Sequence, residues 1–333
     1  MRPPRISFSA LLQDFFHQRL VAQRGASAQT IASYRDTFEL FLHHAEQSTG
    51  RSPSALTIED LDAPAVLAFL DHLETKRRNC PRSRNLRLTA IRSFMRYASV
   101  RDPTALPVAQ RVLAIPGKRF DRPALVFLSR EEVEALLAAP DRATWSGQRD
   151  AVLFAVLYNT GARVSEITGL RVADILLDRA SALHLHGKGR KERVVPLWKS
   201  SAAQLRAWIP RIDRSPNSPV FPNRSGGRMS RSGVEDRLRV ALSTASERCP
   251  SLSGRKISPH TLRHTTAMHL LQAGVDITVI AMWLGHEDPA TTHLYVEADL
   301  AMKEAALRRV KDPAPGPLRF RARDSLLAFL EAL

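Results

Sequence analysis

One stretch of this 333-residue chain calls for β-structure, and its isolation is what most limits the folds open to the rest. Ala182-Leu183-His184-Leu185-His186 and Arg193-Val194-Val195-Pro196-Leu197 alternate around Gly187-Lys188-Gly189-Arg190. That is the pattern of two strands joined by a glycine turn. Pro196 has no N–H to donate, so its strand lies at a sheet edge. Elsewhere apolar residues recur at helical spacing. With this hairpin the one clear β signal, the chain is predicted to be mainly α with a small β-sheet or hairpin.

Four helices are predicted before residue 102. The first, over 7–24, carries Leu11, Leu12, Phe15, Phe16 and Leu20 on one stripe and stops at Gly25. Ser27 opens the second, which runs to about His44. The third begins at Thr57-Ile58-Glu59-Asp60, which has the form of a capping box. The fourth, from about Arg82 to Ser99, sets Ile91, Phe94, Met95 and Ala98 against Arg84, Arg87, Arg92 and Arg96. Residues 1–102 therefore read as a small helical domain with one basic face turned to DNA. Residues 103–128, with Pro103, Pro107, Pro116, Gly117 and Pro123, read as an extended linker.

A second domain is predicted over 129–312. Ser129 and Glu132 make a cap pattern, an apolar helix follows over about 150–158, and Asn159-Thr160-Gly161 breaks it before a helix starting near Arg163. Helical spacing returns after the hairpin, at about 200–209 and 230–247. Ser258-Pro259 is a helix start, a side-chain cap followed by proline at the first turn. Asp276 caps the next helix and Gly285 ends it, which leaves His286 on a turn. Asp288-Pro289 opens a short helix with Tyr295, and a further one covers about 298–310. Residues 313–333 are a proline spacer and an amphipathic segment, Asp324 to Leu333. That segment is too short to hold alone and needs a groove on its own chain or on a neighbour.

A net charge of +16 and a pI near 10.8 are the footprint of a nucleic-acid binder. Aromatic residues are only 6%, without the basic-aromatic interleaving of an RNA-reading sheet, so duplex DNA is the expected partner. No window approaches about 18 unbroken apolar residues, which excludes a helical membrane span. Two cysteines, Cys80 and Cys249, cannot build a disulfide framework or a cysteine zinc site. The basic N-terminus has no apolar signal segment, so a cytoplasmic, nucleoid-associated protein is expected.

The candidate chemistry lies at helix ends and turns: Arg163, Lys188, His260, Arg263, His286 and Tyr295. His260 and Arg263, three apart, share a face at the positive end of a helix, a natural phosphate site. Two arginines and two histidines offer fixed donors to the oxygens of a phosphodiester, where charge grows in the transition state. A tyrosine hydroxyl is a nucleophile once a base or a positive field helps it. A lysine at a hairpin tip can protonate a leaving 5′-hydroxyl. The product is a 3′-phosphotyrosyl link that stores the bond energy, so no ATP, metal or other cofactor is called for. No phosphate-binding Gly-rich Lys-Ser/Thr loop is present, in keeping with that. Arg190, Lys191 and Arg193 are read as contacts to backbone phosphates. His264, His269 and His293 are read as structural.

Five stretches in order, Thr160-Gly161-Ala162-Arg163-Val164-Ser165-Glu166-Ile167, Gly187-Lys188-Gly189-Arg190-Lys191-Glu192-Arg193, Pro259-His260-Thr261-Leu262-Arg263-His264, Leu284-Gly285-His286 and Thr291-Thr292-His293-Leu294-Tyr295, resemble the tyrosine recombinases of the phage-integrase family. The resemblance spans essentially the whole chain. It implies Tyr295 as nucleophile, Arg163 and Arg263 as phosphate clamp, Lys188 as general acid, and His260 and His286 as proton-transfer and phosphate-bonding groups. It implies Glu166 as the residue that holds this geometry. It also implies an N-terminal SAM-like core-binding domain, a C-shaped grip on inverted-repeat core sites, four protomers exchanging strands through a Holliday junction, and accessory recombinases as further partners. The C-terminal helix then docks on a neighbour. Glu297 stands where many members have histidine, and the run after Tyr295 is closest to recombinases of mobile elements. Two rival activities compete with this reading. One is topoisomerase-like cleavage and religation without strand exchange. The other is a metal-dependent rolling-circle nuclease, suggested by His184-Leu185-His186, which would leave Arg163, His260, Arg263 and His286 unexplained.

Overall fold

The computed structural model describes residues 6–286 except 122–124, 179 and 188–190, together with Thr292 and Tyr295. The predicted helix at 298–310, Glu297, and the segment Asp324 to Leu333 lie outside these. The chain divides into two compact units, Met1–Pro123 and Ala124–Leu333, each with its own core.

In the first unit α1 (Phe8–Asp14), capped by Ser7, runs into a π-helical stretch Phe15–Gln23. Helix α2 (Ala28–Thr49) is capped by Ser27 and runs a turn further than predicted. The capping pattern at Thr57 closes only a local turn: Asp60 Oδ2 accepts from Thr57 N at 2.7 Å. Helix α3 (Ala63–Thr75) starts later, capped by Asp62 with proline in its first turn. Helix α4 (Pro81–Arg101) matches its prediction. Phe15, Phe38 and Phe94 meet edge to face in the core, with Phe38 and Phe94 centroids 5.3 Å apart.

This unit departs from expectation in two places. Residues 103–114 are not extended linker: a 3-10 turn leads into α5 (Leu106–Ala114), and Ala105, Ala109 and Val112 are fully buried in this core. The prolines at 103 and 107 start helices rather than prevent them. Nor do all four arginines of α4 form an open face. Arg84 is buried, its Nε 3.3 Å from Glu74. Arg87 donates to Ser33 O and Thr37 Oγ1, and Arg92 to Ile115 O. Arg84 faces the protein rather than DNA, and Arg87 and Arg92 are half-buried braces between elements.

In the second unit α6 (Arg130–Ala138) carries the expected Ser129–Glu132 capping box. Helix α7 (Trp145–Thr160) is buried on nearly every face. Helix α8 (Val164–Gly169) leads to a three-stranded antiparallel sheet in the order β1 (Ile175–Leu176), β2 (Ala182–His186), β3 (Glu192–Pro196). The sequence showed two of these strands and missed the two-residue β1. Leu183 pairs with both Ile175 and Val195, and Leu183, Leu185 and Val195 are buried beneath the sheet. His184 and His186 therefore face the other way. Pro196 sits on an edge strand, as expected. Helices α9 (Lys199–Trp208), α10 (Arg231–Arg248), α11 (Pro259–Gln272) and α12 (Ile277–Leu284) follow. Leu153, Phe154, Val156 and Leu157 of α7 share one core with Trp208, Phe221, Leu238 and Leu262. Among the described residues no helix is long and apolar enough to cross a membrane.

Candidate active site

The site is assembled on the C-terminal end of α12. Three consecutive carbonyls there each accept from a guanidinium: Trp283 O from Arg193 Nε at 2.8 Å, Leu284 O from Arg263 at 2.7 Å, and Gly285 O from Arg163 at 2.9 Å. These carbonyls lack partners within the helix and form the negative end of its dipole, so cations belong there. The three arginines come from β3, α11 and the entry to α8. Each reaches the same spot, so packing of the whole unit sets their spacing.

Two glycines permit that approach. Gly161 ends α7 at φ +58°, and a Cβ there would lie 2.4 Å from Leu284 Cδ2. Gly285 ends α12 at φ +65°, and a Cβ would press on the Arg193 guanidinium. Both positions need left-handed backbone and no side chain.

Glu166 ties the arginines together. Its carboxylate accepts from Arg163 at 2.8 Å and from Arg193 at 3.0 and 2.8 Å, and it also accepts from the Arg163 backbone N–H. Burial works to raise this carboxyl. The bonds from Arg193 and Arg163 outweigh burial and hold it below the usual carboxylate range. Glu166 thus bridges two of the three arginines, Arg163 and Arg193. Arg193 is not the phosphate contact read from sequence: its side chain is 12% exposed and locked on Glu166 and Trp283. Its partner is 27 residues away, which no local pattern reveals.

Arg263 is 2% exposed and also donates to Gly161 O at 2.7 Å, joining the ends of α7 and α12. Desolvation, helped by Arg163, pulls its pKa down to about 10, so it stays charged. Three guanidinium charges face one carboxylate and about half a charge from the helix end, which leaves a positive pocket.

Tyr295 is buried at this pocket, with its ring stacked on His286 at 6.1 Å and 13°. Its hydroxyl lies 3.0 Å from His264 Nδ1, a residue the sequence reading set aside as structural. The signal for it was present: His264 is four residues after His260 on α11, and their rings meet at 4.2 Å. What sequence could not show was that Tyr295, 31 residues on, would close on it. His260 is exposed at the mouth while Arg263 points inward, so the two share a helix turn at different depths. His286 Nδ1 is bonded to Thr292 Oγ1 at 2.7 Å. Desolvation first, then neighbouring positive charge, lowers His264 and His286 to about 4 each, so both are neutral at pH 7. Burial raises the Tyr295 phenol and Arg263 partly offsets it. The hydroxyl therefore keeps its proton, next to a neutral imidazole that accepts it in the Nε2–H tautomer.

The structure thus brings together Arg163, Arg263, His260, His286, Tyr295 and Glu166, and adds His264. Lys188 and Arg190 lie outside the described residues. Lys191 is exposed at the end of the turn, where its carbonyl accepts from Gly187 N at 2.7 Å. His184 and His186 contact Asp174 and Glu192, while the Tyr295 hydroxyl bonds His264.

A helical unit followed by a helical unit with a small sheet, a tyrosine and an arginine array defines the tyrosine recombinase class. Residues 126–302 match the phage integrase family and residues 13–102 the phage integrase N-terminal SAM-like domain. A Sinorhizobium fredii protein named putative integrase/recombinase y4rC is 51% identical over 98% of both chains. A Pseudomonas putida protein named tyrosine recombinase XerD is 33% identical over 85% of this chain and 91% of that one. Among solved structures, the XerH site-specific recombinase bound to its palindromic difH substrate superposes with a TM-score of 0.66 at 19% identity, over 85% of this chain and 80% of that one. The Tn1549 transposon integrase gives 0.68 at 15% identity, over 92% of this chain and 99% of that one. These two likenesses concern the fold. The chain belongs to the phage integrase family, and its enzyme class is the tyrosine site-specific recombinases.

Proposed function

We propose that this enzyme cuts and rejoins duplex DNA through a covalent 3′-phosphotyrosyl link on Tyr295, in the service of a mobile element. The observation that carries the reading is the Tyr295 hydroxyl set in a pocket with Arg163, Arg263 and His286, all of which fit a phosphate. The scissile phosphate enters that pocket and the two guanidinium groups take its non-bridging oxygens. Tyr295 O attacks phosphorus, its proton passing to an imidazole, for which His264 is the nearest acceptor. The 5′-oxygen leaves with a proton from Lys188. The reverse attack by a 5′-hydroxyl of the partner duplex restores the phosphodiester and frees the tyrosine. Strand exchange then runs in two steps through a Holliday junction in a tetramer on inverted-repeat core sites, where accessory recombinases could take part. Residues 1–123 bind the core site, and Arg190 and Lys191 contact phosphates. The enzyme works in the cytoplasm on the nucleoid.

The test is a nicked suicide duplex bearing the core site, incubated with enzyme and resolved on a denaturing gel. The wild type should form a protein–DNA adduct with a free 5′-hydroxyl end. Tyr295→Phe should shift the duplex on a native gel and form none. An adduct surviving in Tyr295→Phe, or a 5′-linked product, would overturn the reading.

A further inference from the structure

The outer face of the small sheet carries a second cluster that the strand-cutting site does not use. His184 and His186, two apart on β2, point to the same side of the sheet. Asp174 immediately precedes β1, the neighbouring strand. One donor atom from each of Asp174, His184 and His186 falls within 4.8 Å of the others. We propose that these three residues form a binding site for a zinc-class divalent cation.

Three features argue for it. The donor set is right: two imidazoles and one carboxylate suit zinc and its first-row neighbours, whereas magnesium and calcium take oxygens. The carboxylate is preset: Asp174 is buried, its Oδ2 accepts from Arg171 N at 2.8 Å, and this aims Oδ1 at His186 Nε2, 2.9 Å away. Outer bonds of this kind orient metal ligands. The imidazoles are also held, since Glu192 lies across both, 3.0 Å from His184 Nε2 and 3.1 Å from His186 Nδ1. Tetrahedral ligands at about 2.0–2.1 Å from zinc sit about 3.4 Å apart, so small rotations of two partly exposed rings close the site. The cation replaces the proton shared between His186 and Asp174.

Placement gives the site a consequence. His186 is the last residue of β2, and Lys188 follows two residues later in sequence. A metal there ties the end of β2 to the residue that enters β1. Occupancy would stiffen the strand end from which the chain continues towards Lys188.

The probe is Zn²⁺ alone, titrated calorimetrically into untagged, chelator-stripped full-length protein. The expected result is one saturable site per chain, weakened at least tenfold in His184→Asn and in His186→Asn. The melting temperature of the wild type should rise with Zn²⁺, and that of the two variants should not. Co²⁺ in place of Zn²⁺ should give the visible absorption of a four-coordinate site, and excess Mg²⁺ should not compete. His184→Asn keeps a partly exposed polar residue on the strand, so a melt without metal close to the wild type shows that it folds. No saturable binding by the wild type, equal binding by both variants, or displacement by Mg²⁺ would each overturn the site.

Discussion

At the scale of single residues, the buried groups of this site make stability depend on pH in a defined direction. His264 and His286 titrate near 4 in the folded chain and near the usual 6.5 when unfolded. His269 and His44 are lowered too, in both cases by burial first. Between these limits the unfolded chain binds protons that the folded chain refuses, so stability falls as pH drops from about 6.5 towards 4. His186 opposes this, because its bond to Asp174 raises it. The carboxyls of Glu166 and Glu132 are held below their usual range and enter only at lower pH. The expected outcome is a melting temperature that declines from pH 7 to pH 5, and less steeply in His264→Gln. Glu166 is the second case. Glu166→Gln leaves the nearly buried Arg193 without its carboxylate and should cost about 3 kcal/mol in urea unfolding. The variant should also lose suicide-substrate cleavage, because Arg163 loses the carboxylate that Glu166 sets against its guanidinium. An unchanged unfolding midpoint would refute the bracing role.

At the scale of elements, the ends of helices matter more than their middles. Gly161→Ala forces a Cβ into Leu284 at a left-handed position, and should cost about 2 kcal/mol or more. Gly50→Ala, left-handed but with open space beyond, should cost only about 1 kcal/mol. Urea midpoints of the two variants check the difference. The same contrast explains what sequence could show. Helix α11 was legible because Ser258 and Pro259 are local signals, and the hairpin because period-two alternation around glycine is local. Helix α5 was not, because its prolines read as linker, and only packing of Ala105, Ala109 and Val112 on the first core decides for helix. The candidate arginines Arg163 and Arg263 were visible by type and position. That Arg193 belongs with Glu166, that Arg84 turns to Glu74, and that His264 meets Tyr295 all depend on contacts across the fold.

At the scale of the molecule, no core cluster of the described residues is shared between the two units, which predicts that each folds on its own. Asn85 grips the backbone of Lys118 through its N–H and its carbonyl, and Lys118 Nζ reaches Glu74 at 2.8 Å. Arg119 is the first exposed basic residue beyond that grip. Brief trypsin digestion of the full chain should therefore cut first after Arg119, which mass spectrometry of the two fragments would read. A first cut within 103–114 would contradict the packing of α5. The array on α12 has a consequence of a different kind. The groups that position three cations there are main-chain carbonyls, which, Gly285 apart, any residue supplies. Exposed side chains along α12, such as Val279 and Met282, are thus free to drift. The count of residues is not: one inserted or deleted position would turn the helix end by about 100° and offer the arginines the wrong oxygens. In related chains this stretch should vary in spelling and never in length.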